Sequence, residues 1–340
     1  MAFSSTPRTV GAASGATALS SADVDGDADV DVVAAALLGD AVSWHENDGS
    51  LSFAPRTIAT PDGPMGVFAV DVDGDADVDI LAALYKTDVI AWYENVGSSM
   101  FTSRSVASSV DGAKDVFVYD VDRDGDLDVL SASGLDDTIA WYENDGSEGF
   151  TPRVITASAD SATSVSAVDV DGDADVDVLA TAAVDNSLTW YQNDGSQSFT
   201  ASSLSTSLTG AYAVHLADVD GDGDSDVLVT AVGIDSVRWF ENGGENMFGV
   251  YEWTEREISA AADYAVCVYA LDLDGDGDVD ALSASYNDDT VAWYENDGSQ
   301  SFAERIVSTL ADGVWSVTAL DVDGDGDADM FSASENDDSV

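Results

Sequence analysis

Aspartate recurs at every second position in seven short runs. Asp23, Asp25, Asp27, Asp29 and Asp31 form the first, and Asp71, Asp73, Asp75, Asp77 and Asp79 the second. The spacing returns at Asp120, Asp122, Asp124, Asp126 and Asp128, then at Asp169, Asp171, Asp173, Asp175 and Asp177. It returns again at Asp218, Asp220, Asp222, Asp224 and Asp226, and at Asp272, Asp274, Asp276, Asp278 and Asp280. The last run is Asp321, Asp323, Asp325, Asp327 and Asp329. Side chains at alternate positions of a tight loop can converge on one point while the residues between them point away. Five carboxylates held so closely repel one another unless a cation lies among them. An all-oxygen donor set suits Ca²⁺, which takes six to eight such ligands. Mg²⁺ is disfavoured because it demands tighter octahedral geometry and keeps its waters. Zn²⁺ is disfavoured for want of Cys and His. The expected cofactor is therefore Ca²⁺, up to seven ions. A merely solvated acidic surface would not need a period of two in seven copies.

An EF-hand is excluded. Its loop needs Glu at position 12 between helices. Here position 12 is Ala34, Ala82, Ser131, Ala180, Val229, Ser283 and Ser332, each in an apolar, strand-like run. Other chemistry is not signalled. His45 and His215 sit at different places in the repeat, and no Gly-rich phosphate loop precedes a helix. Cys267 is the one cysteine, so no intrachain disulfide forms; its apolar surroundings point to a buried structural thiol.

The formal charge is −57, with 67 acids against ten Lys and Arg. Nucleic acid and anionic membranes are thus poor partners. No stretch reaches the roughly 18 apolar residues of a membrane helix, so membrane insertion is not expected. Yet 45% of the residues are hydrophobic and eight are Trp, enough for a packed core once the acids are neutralised.

Those acids must be held by a repeating frame. The runs start about 49 residues apart, and Trp44, Trp92, Trp141, Trp190, Trp239 and Trp293 each open a second shared segment. Copy three shows the unit. Residues 116–120, 129–133, 138–142 and 150–155 read as four short strands, and Asn144-Asp145-Gly146 is a hairpin turn between the last two. A repeat of 40 to 50 residues built from strands reads as a propeller blade. The expected fold is all-β: a seven-bladed β-propeller of four-stranded antiparallel blades, one domain over residues 1–340. The seventh repeat stops at Val340, before its Trp segment, while Phe3–Val10 matches a fourth strand. The expectation is an incomplete last blade, closed by that N-terminal strand, in a fragment of a longer protein. Adjacent Trp and Tyr in the third strand point to opposite faces and should pack blade on blade.

The combination of Asp loop, strand and Trp segment resembles the FG-GAP and VCBS repeat families, known from integrin α-subunit propellers, surface proteins and some fungal lectins. The resemblance covers nearly the whole chain. It implies that side chains at loop positions 1, 3, 5 and 9 and the carbonyl of position 7 bind calcium. In blade two these are Asp71, Asp73, Asp75, Asp79 and the Asp77 carbonyl. Departures from the pattern are Ala28, Ala76 and Ala174 at position 6 and Arg123 at position 4, where Gly is usual.

Glu46, Glu94, Glu143, Glu241 and Glu295 follow the Trp segment, with Arg56, Arg104, Arg153, Arg256 and Arg305 on the next strand. Copy four has Gln192 and Ser202 instead, so both charges vanish together. This predicts a Glu–Arg pair bracing the outer strands. Hairpin geometry puts the Asp loops on one face of the disc; the loops of the other face vary most between copies. By resemblance to integrin propellers that second face binds the ligand, with Lys114, Tyr212, Trp315, Tyr85, Lys86, Tyr264 and Tyr286 as candidates. The expected role is a calcium-stabilised, monomeric recognition or adhesion module, extracellular or at the cell surface, with a protein or glycan ligand. A lectin with saccharide pockets between blades and a lyase-like polysaccharide-active enzyme are the alternatives; catalysis is not expected.

Overall fold

Short links force each strand to pair with its sequence neighbour, and the repeat does so throughout. In the computed structural model, which describes residues 8–247 and 250–340, repeat one pairs Ala16–Ala22, Asp31–Ala36, Ala41–Asn47 and Phe53–Ala59 in that order, all antiparallel. Residues 64–108, 113–156, 162–205, 211–259 and 265–308 repeat this sheet. Among the described residues all regular elements are strands, and no helix is long and apolar enough to cross a membrane.

The count of blades differs from expectation. Among the described residues six four-stranded blades are present, not seven; repeat seven forms a two-stranded sheet, Val314–Leu320 with Asp329–Ser334. By the spacing of the other repeats the third strand would begin at Ser339. What stands there is one residue, Ser339, with two bridges, to Ser334 on one side and to Ala12 on the other. Residues 1–7 of the expected closing strand lie outside the described residues. The part that follows does meet the chain's end: Val10 N–H donates to the Val340 carbonyl at 2.6 Å, and Val340 N–H donates to the Gly11 carbonyl at 3.1 Å. Among the described residues only the Ser339 bridge pairs with the outer edge of this sheet, and Asp329–Ser334 is less buried than the second strand of every other repeat.

Burial follows the ring. In blades one to six the second strand is wholly buried, because a neighbouring blade covers each of its faces. The apolar core is accordingly divided between successive sheets rather than gathered in one place. Trp141 packs in the cluster shared with blade four, and Tyr142, one residue on, in the cluster shared with blade two. Edge-to-face contacts join Trp92 to Phe150 at 6.0 Å and Trp239 to Phe302 at 6.1 Å, each across a blade boundary. His45 replaces the Tyr and is fully buried, with its ring against Gly11, where any side chain would collide with it. A last apolar cluster, containing Ala13, Val32, Phe331 and Val340, packs the two-stranded sheet against blade one and closes the ring.

Candidate metal centre

Each Asp run is the link between the first and second strands of its sheet. Its path turns sharply at positions 4 and 6, both left-handed: Gly26 and Ala28 have φ of 76° and 78° in the first loop, and Arg123 and Gly125 have 59° and 100° in the third. The position 12 residues lie in the second strands, as their apolar character requires.

The five aspartates of a loop do different things. In loop one, Asp23 accepts the backbone N–H groups of Gly26, Asp27 and Ala28 at 2.8, 3.0 and 2.9 Å, which shapes the turn. Asp27 accepts the Asp29 N–H at 3.0 Å. Asp25, at position 3, has a buried Oδ1 without a partner, as has Asp120 in loop three. Burial and then the neighbouring Asp27 and Glu46 push the Asp25 carboxyl up. Asp73, Asp122, Asp171 and Asp220 are raised in the same way. Asp29 is turned aside: its carboxylate fills the space a side chain on Gly49 would need, and Asp126, Asp175 and Asp278 lie likewise against Gly146, Gly195 and Gly298. Glycine at that hairpin therefore answers both its positive φ and the position 7 carboxylate.

Position 9 is a buried latch. Asp31 accepts Val24 N–H on one oxygen and Asn47 N–H on the other, at 3.0 and 2.7 Å. The same two bonds recur at Asp79, Asp128, Asp177, Asp226 and Asp280. Burial pushes Asp31, Asp79 and Asp280 up to about 6 and Asp128, Asp177 and Asp226 to about 7, against the pull of those amides.

These carboxylates meet. One oxygen each from Asp23, Asp25 and Asp27 lies within 4.8 Å of the other two, and the same holds for Asp71, Asp73 and Asp79, for Asp120, Asp122 and Asp128, and for Asp169, Asp171 and Asp173. The donor set is oxygen only, carries excess negative charge, and includes oxygens shielded from water. It fits a hard cation of Ca²⁺ type.

The repeat and its loop match the FG-GAP-like repeat over residues 23–82, 120–180, 170–229, 222–283 and 272–332. The chain belongs to the FG-GAP-like repeat family. No curated protein matches it in sequence. Among solved structures, this FG-GAP chain is similar to virginiamycin B lyase from Staphylococcus aureus: 12% identity, TM-score 0.64, 95% of this chain and 93% of that one covered. It is also similar to a streptogramin B lyase, with 15% identity, TM-score 0.61 and coverage of 90% and 87%. BBS1N, solved in complex with ARL6DN, gives 11% identity, TM-score 0.64 and coverage of 96% and 92%. At such identities the likeness concerns the propeller fold alone.

Around the FG-GAP loops the expected Glu–Arg pairs form in five blades: Arg56 with Glu46, Arg104 with Glu94, Arg153 with Glu143, Arg256 with Glu241 and Arg305 with Glu295. Each guanidinium also stands 5.1 to 5.8 Å from the centre of its blade's Trp ring. In blade four Gln192 turns instead to the position 3 carboxylate, Asp171. The Glu of the Trp segment thus faces the loop as well as the Arg.

On the opposite face the structure gathers part of the candidate set. The Tyr212 and Trp315 ring centres are 6.1 Å apart, Trp315 and Tyr286 5.2 Å, Tyr286 and Tyr264 6.0 Å. Lys114 lines the same central channel as Tyr212 and Trp315, a cavity of about 250 Å³, and its ammonium donates to Ser161 Oγ at 3.1 Å. Lys86 stands apart, paired with Asp40 at 2.9 Å and Asp62 at 3.2 Å, and Tyr85 is half-buried beside it. Cys267 is half-buried on the channel wall, packed against the core cluster of blades six and seven. The Asn that follows the Glu or Gln of each Trp segment also serves the loop. Its repetition is visible in the sequence, but its partner lies 16 residues back, on the loop.

Proposed function

We propose that this FG-GAP propeller is a calcium-stabilised recognition module, secreted or displayed at a cell surface. The observation that carries the reading is the water-shielded Asp25 Oδ1 without a partner, in a loop whose carboxylates already converge. Positions 1, 3, 5 and 9 of each loop would hold the ion, with the position 7 carbonyl as the family resemblance implies. Calcium, when bound, supplies the positive charge that lets these carboxylates stay ionised at close quarters. The chain's own part is to fix them: position 1 folds the turn, position 9 ties the loop to the third strand, and Asn holds the hairpin. Extracellular modules bind calcium with Kd of about 10⁻⁴ to 10⁻³ M, which suits a location where calcium is plentiful. The ligand face is the mouth of the central channel, where Tyr212, Trp315, Tyr286 and Tyr264 cluster near Lys114. Elemental analysis after dialysis against about 1 mM Ca²⁺ tests the metal reading. Several calcium ions per chain are expected; none would reject it.

One observation favours a second reading, a lectin. A crevice of about 370 Å³ opens between blades one and two, lined by Asp25, Trp44, Arg56, Ser98, Ser99 and Phe101. The partly exposed Phe101 ring beside these polar groups is a surface on which a saccharide can stack and hydrogen-bond. On a glycan array, binding that is lost in EDTA and in Arg56→Ala would establish it. The lyase relatives share only the fold, so we infer binding rather than catalysis.

A further inference from the structure

In four blades the Asn of the Trp segment reaches into the preceding blade. Asn95 Nδ2 donates to the carbonyl of Val24, at position 2 of the preceding blade's loop, at 3.2 Å. Asn144 donates likewise to Val72 at 3.4 Å, Asn242 to Val170 at 3.0 Å and Asn296 to Val219 at 3.2 Å. Val24 also donates its N–H to Asp31, and its carbonyl opens the peptide that leads to Asp25. Asn95 in turn donates its own N–H to Asp79, at 2.7 Å. Hydrogen bonds therefore run from Asp31 through Val24 and Asn95 to Asp79, then through Val72 and Asn144 to Asp128. A second run joins Asp177, Asp226 and Asp280 through Asn242 and Asn296. Among the described residues Asn47 and Asn193 bond only within their own blades, to Val30 and Val176, so the two runs are separate.

We propose that these asparagines couple cation binding in neighbouring loops, making two cooperative sets: blades one to three, and blades four to six. The inference rests on the calcium reading of the loops. Its physical basis is that one Asn side chain is bonded to the backbone of two loops at once. A loop drawn tight around an ion holds Asn95 in place, and Asn95 then holds the peptide that presents Asp25 in the preceding loop. Binding at one loop thereby lowers the ordering needed at the other, a coupling that is reciprocal.

The test uses the full chain, a Ca²⁺ titration by calorimetry, and hydrogen exchange read by mass spectrometry on peptides covering loops 23–31, 71–79, 120–128 and 169–177. Wild type is expected to bind Ca²⁺ more steeply than independent sites allow. Asn95→Ala is expected to flatten the curve and to speed exchange in loop 23–31 as well as in loop 71–79, by roughly 3- to 10-fold for one lost hydrogen bond. Asn193→Ala should speed exchange in loop 169–177 and leave loop 120–128 unchanged. If Asn95→Ala does not fold, Asn144→Ala asks the same question of loops 71–79 and 120–128. Acceleration confined to the substituted blade, or a wild-type titration with a Hill coefficient of 1, overturns the coupling while leaving the calcium reading intact. A wild type that takes up no Ca²⁺ overturns both.

Discussion

At the residue scale, the loops contain strain that the sequence already marked. Ala28, Ala76 and Ala174 hold φ of 76° to 78°, where an L-residue is disfavoured, and the glycines at the same position in other loops have open space around them. Replacing the three alanines with Gly should stabilise the calcium-loaded protein by up to about 1 kcal/mol each, because the left-handed strain relieved is about 1 to 2 kcal/mol and the chain entropy that Gly adds to the unfolded state costs about 0.4 to 1 kcal/mol. Chemical denaturation of the triple variant checks this; a loss of stability would mean that the loops relax differently. The position 9 aspartates set the pH response. Their folded pKa values of about 6 to 7 lie above the unfolded carboxyl value, so between about pH 4 and 7 the native state binds more protons than the unfolded one. Their burial as anions is thus a penalty at neutral pH that protonation relieves. His45 and His215, lowered to about 4 by burial, act oppositely as pH falls below the free histidine value. Six such carboxylates outnumber two histidines with shifts of similar size. The chelated protein should therefore melt higher at pH 5.5 than at pH 7.5, and the calcium-loaded protein lower; calorimetric scans at both values would show it. The Asp spacing was legible in the sequence because it is periodic. The division of labour among the five was not, since it depends on which oxygens the backbone reaches.

At the element scale, the third and fourth strands of a blade are fastened by the Glu–Arg pair under the Trp ring. In the third blade Trp141 lies opposite Arg153 on the fourth strand, and Ser202 occupies that place opposite Trp190 in the fourth. The pair was readable from its joint loss in copy four, because two charges that satisfy each other can disappear only together without cost. The cation–π contact and the turn of Glu toward the loop were not readable, as both depend on side-chain direction. Installing the pair with Gln192→Glu and Ser202→Arg should give a favourable coupling of about 0.5 to 1 kcal/mol, since the ions are partly exposed. A double-mutant cycle measures it. Gln192→Glu alone should destabilise the metal-free protein, because it adds a carboxylate beside Asp171.

At the scale of the whole molecule, the repeat length and strand pattern were enough for a propeller, and the spacing of the loops placed every blade in order. The number of complete blades was not settled by that pattern. Repeat seven contributes two strands, and Val10–Ala13 meets residues 338–340; the likeness of Phe3–Val10 to a fourth strand pointed to the N-terminal segment, but not to these partners, which are fixed by long-range pairing. The ring also explains how a chain of charge −57 can fold: 35 of its 67 acids lie in the seven loops where a cation can neutralise them, and its apolar strands are shared between sheets. Stability of the ring should then depend on the cation, because the loops are unformed in the unfolded chain and binding favours the native state by mass action. The most direct measurement is the melting temperature at neutral pH in EDTA, then in excess Ca²⁺, with equal Mg²⁺ as the control. A marked fall in EDTA, restored by Ca²⁺ and not by Mg²⁺, is the expected result. A melting temperature unchanged by prolonged chelation and by added Ca²⁺ would contradict the assignment of the Asp loops as calcium sites.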